Sequence, residues 1–200
     1  NEQCISEDDG GGGSADLYSV HPDNSLNSQT NVRSSVLARK AIVEATKALR
    51  NALTKTYKTR DAAAKAWAAI VLPIANKYDT EIGSKLFSVT GCSSGPTRIG
   101  SPTSDGIECS LSAQCSVDIR LGGDVAGGIL SGSIHTHPSN VSFSDRDLYS
   151  SNYAYQNAGR QIEYSAYVAL PNGNIYRWST DTIKKNYQPN WHLYNSKTTH

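Results

Sequence analysis

The chain reads as an α/β (α+β) protein, a mixed β-sheet flanked by helices, and three observations predict that class. Apolar residues recur at three- and four-residue steps through Val36, Leu37, Ile42, Val43, Ala45, Leu49 and Leu53, the period of one helix face. Three later stretches, "EIGSKLFSVTG" (81–91), "AGGILSGSIHTHP" (126–138) and "IEYSAYVALPNGNIYRWS" (162–179), are rich in strand formers and bounded by turn residues. Helical segments lie between these strands rather than apart from them, which predicts a sheet with mixed strand directions.

Residues 1–30 are polar and glycine-rich, with almost nothing to bury, and read as an arm or linker. The first helix starts from about Ser34. A second starts near Thr59 or Arg60, has Asp61 in its first turn and runs to about Lys77. Residues 81–91 read as a strand, and 98–123 as short β-like runs alternating with turns. Residues 126–138 form a strand whose glycines permit close packing and which delivers two histidines at its end. Residues 144–159 follow as a helix with Gly159 at its C-terminal stop. Residues 162–179 are a hairpin turning at "PNGN". The core domain is therefore 31–180, and 181–200 reads as a surface tail. No internal repeat is visible.

Charge excludes some functions. With 19 Lys+Arg against 18 Asp+Glu, nothing draws the chain to nucleic acid or to an anionic membrane. No apolar run approaches the ~20 residues that span a bilayer; "AAAKAWAAIVLPIA" (62–75) contains Lys65 and Pro73. The absence of Met and the start at Asn1 lead us to expect a processed N-terminus, from a removed signal or a cut out of a larger precursor, and a secreted, extracellular protein. The four cysteines, Cys4, Cys92, Cys109 and Cys115, contain no C-x-x-C pair and have no histidine close by. That pattern suits two disulfides better than a zinc knuckle. Of three pairings, the expected one is Cys109–Cys115 closing a short loop and Cys4–Cys92 tying down the arm. Four reduced thiols in a cytosolic protein are the alternative.

Chemistry concentrates in "SIHTHPSNVSFSDRDL" (133–148). Taken alone, Ser144-x-x-Asp147 is an ordinary helix N-cap, and a lone His-x-His is two histidines beside a turn. Their combination says more. His135 and His137 point to one face of a strand, Pro138 makes the chain leave that strand, and Asp147 stands in the first turn of the next helix. Two imidazoles and one carboxylate form a three-ligand set with a fourth position open to water. Such a site lowers the water's pKa towards neutrality and needs a further base to move its proton.

The pattern resembles the JAB/JAMM (MPN) metallopeptidases, in which a glutamate opening an early strand is followed far downstream by His-x-His-Pro, a short spacer and Ser-x-x-Asp. Here "HTHP" (135–138), the five-residue spacer "SNVSF" (139–143) and "SDRD" (144–147) match. The spacer is one residue shorter than in eukaryotic members. Glu81 in "DTEIGSKLF" fits the glutamate better than Glu44, inside a helix, or Glu108, beside a cysteine. The resemblance covers about residues 35–180. It looks closest to the JAB-like domains of bacterial polymorphic toxins and of secreted fungal proteins, which often carry a helix like "DAAAKAW" (61–67) before the glutamate strand.

The resemblance implies a JAB/MPN-like fold in which His135, His137 and Asp147 bind Zn2+. It implies that Glu81 is the general base and then the acid, and that Ser144 helps to stabilise the oxyanion. The expected reaction is attack of metal-bound water on an amide or isopeptide carbonyl of a peptide or protein substrate. It further implies a toxin or effector, with a cognate inhibitor as partner. No ubiquitin-binding insert is visible, so deubiquitination is not carried over. Two rivals stand beside this reading: a metal-free binding module on the same fold, and a metal-dependent nuclease or ribotoxin, against which the near-neutral charge argues. His21, His192 and His200 lie in the arm and tail, Trp67, Trp178 and Trp191 read as packing residues, and Lys184–Lys185 as a solvated face. The sequon Asn140-Val141-Ser142 falls inside the ligand loop, where a glycan would crowd the site.

Overall fold

The computed structural model describes residues 28–90, 95–111, 115–157, 164–179 and 196–198. Helix α1 (Ser28–Leu53) starts six residues before the expected Ser34. Its first turns are polar, so no periodicity marks them. Its inward face is Ala41, Ala45, Leu49 and Ala52, whereas Val36 and Val43 are 46% and 62% exposed. The helix turns its small residues inward because α2 packs against it at close range.

Helix α2 (Arg60–Tyr78) has the expected limits. The Thr59 hydroxyl accepts from the Ala62 amide at 3.1 Å, an N-cap bond. Asp79 closes the helix in the left-handed region at φ 48°. Trp67, fully buried, donates its indole N–H to Ser84 Oγ at 2.8 Å, which fixes the helix on the sheet beneath. Pro73 lies inside α2 and removes one helical bond.

The sheet contains β1 (Gly83–Ser88), β2 (Thr97–Ile99), β3 (Ile129–Thr136), β4 (Ser165–Ala169), β5 (Ile175–Ser179) and β6 (Ser196–Thr198). Its order is β2-β1-β3-β4-β5-β6. Only the central pair, β3 with β4, runs parallel, and α3 (Asp145–Asn157) connects them. The class is α+β with a mixed sheet, as expected. Helices α1 and α2 cover one face over Leu86, Ile134, Tyr167, Ala169 and Ile175. On the other face Leu148 of α3 joins Tyr164, Ala166 and Trp178, with Leu130 and Phe143 packed alongside.

Close contact between β3 and β4 depends on Gly132, where a Cβ would lie 2.4 Å from the Ser165 carbonyl oxygen. The hairpin turns at 170–174, with Gly173 at φ +84°. Trp67 and Trp178 are core residues, as expected.

Two expectations differ from what is seen. The described residues of 98–123 contain one short strand and two 3-10 turns, Cys109–Leu111 and Ile119–Leu121, rather than a series of β runs. Single backbone bonds to β1, from the Gly100 amide to Lys85 and between Thr103 and Gly83, hold this loop together with the Asp118 cap and the Cys109–Cys115 disulfide. In the tail, β6 pairs antiparallel with β5, so the sheet draws an edge strand from beyond residue 180. Cys4, Cys92, Gly159, His21, His192, His200, Trp191, Lys184 and Lys185 lie outside the described residues. No described helix is long and apolar enough to cross a membrane.

Candidate metal centre

The three expected ligand residues converge at the C-terminal end of the parallel pair, where the chain leaves β3 for α3. In sheets with such crossovers, this end is where side chains and a helix N-terminus meet. His135 is the penultimate residue of β3 and pairs with Gly83 on one side and Val168 on the other. The His137 amide still donates to the Ala169 carbonyl at 3.0 Å, so the sheet holds both histidines although Pro138 ends the strand. Thr136, between them, points the opposite way. Its hydroxyl accepts from the Ile82 amide at 3.1 Å and its amide donates to the Ile82 carbonyl at 2.9 Å.

Asp147 comes from the first turn of α3. Ser144 and Asp147 cap this helix reciprocally: the Asp147 amide donates to Ser144 Oγ at 3.2 Å, and the Ser144 amide donates to Asp147 Oδ2 at 2.7 Å. The Ser144 hydroxyl also donates to that oxygen, at 2.6 Å. The cap and the ligand are therefore one construction, since the bonds that start the helix orient the carboxylate.

The geometry fits a small cation. His135 Nε2 and His137 Nε2 stand 3.1 Å apart. Asp147 Oδ1 lies 3.4 Å from the first and Oδ2 3.2 Å from the second. A tetrahedral ion with bonds of ~2.0–2.1 Å places its ligand atoms ~3.3–3.4 Å apart, close to these separations. His137 Nδ1 faces the Val141 carbonyl at 2.9 Å. A ring N–H donated there leaves the Nε2 lone pair aimed at the triangle, the outer partnership that orients metal-bound histidines. The side chains of His135, His137 and Asp147 are 6%, 10% and 22% exposed. These three residues could together hold a metal ion.

Electrostatics point the same way. Burial alone would raise the Asp147 pKa, but bonds from the two imidazoles and from Ser144 hold it far below the usual carboxylate range. Burial opposes a charge on His137, yet Asp147, the Val141 carbonyl and Glu81 outweigh it and raise that ring's pKa. The pocket keeps its carboxylate ionised and favours positive charge.

Glu81 lies two residues before β1, after the left-handed residue Asp79 that closes α2. The register Gly83↔His135, continued by two residues, puts it beside His137. It is 8% exposed, and its carboxylate makes no hydrogen bond to a described residue. Burial pushes its pKa up, against the fields of His135 and His137. It does not belong to the ligand triangle. The structure thus brings Glu81, His135, His137, Ser144 and Asp147 into one place, with Glu81 held apart from the ligand atoms.

Three contributors went unread in the sequence. Thr136 ties Ile82, the residue before β1, to the end of β3. The Val141 carbonyl, a backbone group in a loop, carries no side-chain signal. Asp105, whose half-buried carboxyl is also raised by burial, acts on Glu81 from the 100–123 loop. That loop closes against β1 at Gly83, where a Cβ would meet Ile119 Cγ1 at 2.9 Å, and Lys85 ties it down through Asp124. Comparison with protein-family models, with curated proteins and with solved structures gave no match, so the reading of this centre rests on its own geometry.

Proposed function

We propose that this chain is an exported zinc-dependent hydrolase of amide bonds, a metallopeptidase or isopeptidase of the JAB/JAMM kind. The observation that carries the reading is the His135–His137–Asp147 triangle at tetrahedral spacing, with a buried Glu81 beside it whose carboxylate bonds to no described residue. Two imidazoles and a carboxylate are a donor set that zinc takes, leaving one position open. Bound there, zinc supplies Lewis acidity towards a carbonyl and lowers the pKa of water.

The remaining work belongs to the chain. Glu81 accepts the proton of the attacking water and returns it to the leaving nitrogen, which is a poor leaving group until protonated. Burial raises its pKa, which makes it a better proton acceptor than an ordinary carboxylate and suits a group that takes a proton and gives it back. The Ser144 hydroxyl now donates to Asp147; to serve an oxyanion it turns away, and the Ser144 amide keeps the carboxylate in place. Export accords with the Cys109–Cys115 disulfide, a bond that persists where thiols are not kept reduced.

The test pairs metal analysis with turnover on a quenched peptide mixture. Wild type purified without chelator should carry about one zinc per chain and cleave peptides. Glu81→Gln should keep the zinc and lose turnover by ~10²-fold or more. Full activity in Glu81→Gln, or zinc-free protein that takes up none when it is added, would remove the proposal.

A further inference from the structure

The loop that carries His137 is anchored at a point outside the ligand set. Between Pro138 and Ser144 the chain crosses from β3 to α3, and Phe143 at the far end packs against the α3-side core. Val141 lies in mid-loop with 66% of its surface exposed, so packing does not hold the residue whose carbonyl faces His137 Nδ1. One residue earlier, Asn140 Oδ1 accepts from the Asn172 amide at 3.0 Å, across to the β4–β5 turn. That turn is itself well tied. Asn172 Oδ1 accepts from the Asn174 amide at 3.0 Å. The Gly173 amide donates to the Leu170 carbonyl at 2.8 Å, and the Leu170 amide to the Asn174 carbonyl at 2.9 Å. Gly173 takes the left-handed conformation that the turn requires.

We infer that Asn140 is a positioning residue for the metal centre. Its amide oxygen fastens the His137 loop to the hairpin tip, so that the Val141 carbonyl stays on His137 Nδ1 and the ring turns Nε2 towards the other ligands. The chain of contacts is short: Asn172 amide, Asn140 side chain, the Asn140–Val141 peptide, the Val141 carbonyl and the imidazole. Without that bond the Asn140–Val141 peptide loses its tie to the hairpin tip. The inference rests on the metal reading proposed above, and its test separates the two.

Two readouts are needed, zinc affinity by competition with a chromophoric chelator and the His137 tautomer in metal-free protein by ring-nitrogen NMR above the His137 pKa. Loss of an outer partner bonded directly to a ligand weakens metal binding by ~10–100-fold. Asn140 acts one bond further out, so Asn140→Ala should weaken zinc by ~10-fold, the low end of that range. The same variant should mix the tautomers, which in wild type are held as Nδ1–H, and should leave the metal-free melting temperature unchanged. Asn140→Asp keeps the acceptor oxygen and should restore both readouts. Asn140→Ala combined with Ser139→Asp places the same charge one residue away without the acceptor, and should not restore them.

Wild-type affinity and tautomer in Asn140→Ala would overturn the inference. So would rescue by the Ser139 charge, or a fall in metal-free stability that accounts for the lost affinity. If wild type takes up no zinc, the hydrolase reading fails, while the tautomer measurement still decides the role of Asn140.

Discussion

Replacing Gly132 by alanine tests the close contact of β3 with β4 on which the position of His135 depends. The added Cβ would lie 2.4 Å from the Ser165 carbonyl oxygen and 3.4 Å from its carbon, both backbone atoms of the paired strand. Contacts below 3.0 Å are essentially never made by a Cβ, so the strands must part by at least the 0.6 Å between 2.4 and 3.0 Å. A ladder bond of ~2.9 Å stretched by that much reaches ~3.5 Å, the edge of hydrogen bonding. Overpacking of this kind costs about 1–3 kcal/mol, and weakened ladder bonds add ~0.5–1.5 kcal/mol each. Relief of the glycine's own strand penalty returns roughly 0.5–1 kcal/mol. The net loss should be about 2–3 kcal/mol, a fall in melting temperature of roughly 4–12 °C for a chain of this size. Gly127→Ala is the control, since its Cβ would meet nothing within 4 Å and only its φ of +71° is strained, a cost of ~1–2 kcal/mol. Urea denaturation of both variants compares them directly. Gly132→Ala should also weaken zinc binding, because His135 follows three residues along the same strand, whereas Gly127→Ala should not. A Gly132→Ala protein no less stable than Gly127→Ala, with wild-type zinc affinity, refutes the close-packing argument.

Zinc at about 100 times its dissociation constant should stabilise wild type by ~2.7 kcal/mol and His135→Ala not at all, as followed by differential scanning fluorimetry. The pH dependence has a definite sign. The His137 pKa is raised above 6.5, so in metal-free protein its stabilising charge is fully present below 6.5 and lost as pH rises through the raised value. Zinc competes with that proton, so its affinity should climb over the same interval and level off above it; an affinity flat from pH 6 to 8 would contradict the ligand role of His137. Burial raises the Glu81 pKa above 4.5, so metal-free wild type should lose stability relative to Glu81→Gln as pH rises from 4.5 through that raised value, and match it below. Replacing Cys109 and Cys115 by serine opens a loop of sequence separation 6 and should cost ~2 kcal/mol by loop-closure entropy, visible as a lower urea midpoint.

Local signals in the sequence were enough for the limits of α2, where Thr59 and Asp61 mark the start, and for the β4–β5 hairpin, where "PNGN" turns. They did not reveal the first turns of α1, which lack an apolar period, or the inward face of that helix. Which side faces inward depends on how closely α2 approaches, and no single helix carries that information. Nor did they show that the described residues of 98–123 hold one short strand, because a glycine- and serine-rich stretch with β-like runs forms a ladder only where a partner edge is free. Strand β6 is the same lesson at the other edge: three polar residues pair because β5 offers unpaired backbone groups.

At the centre, the sequence by itself determined the residue types, their spacing and the face each would use. His-x-His on a strand and Ser-x-x-Asp at a helix start are local geometry, set by the two-residue pleat and by the capping bonds of one turn. Only the tertiary structure decided that these pieces meet. The 3.1–3.4 Å separations across the triangle arise because the parallel β3–β4 pair, closed at Gly132, leads α3 back over the strand end. The environment of Glu81 was likewise out of reach of the sequence. Its burial and its raised pKa come from β1 pairing with β3 and from the 100–123 loop folding over Gly83, and desolvation is a sum over atoms that are distant in the chain.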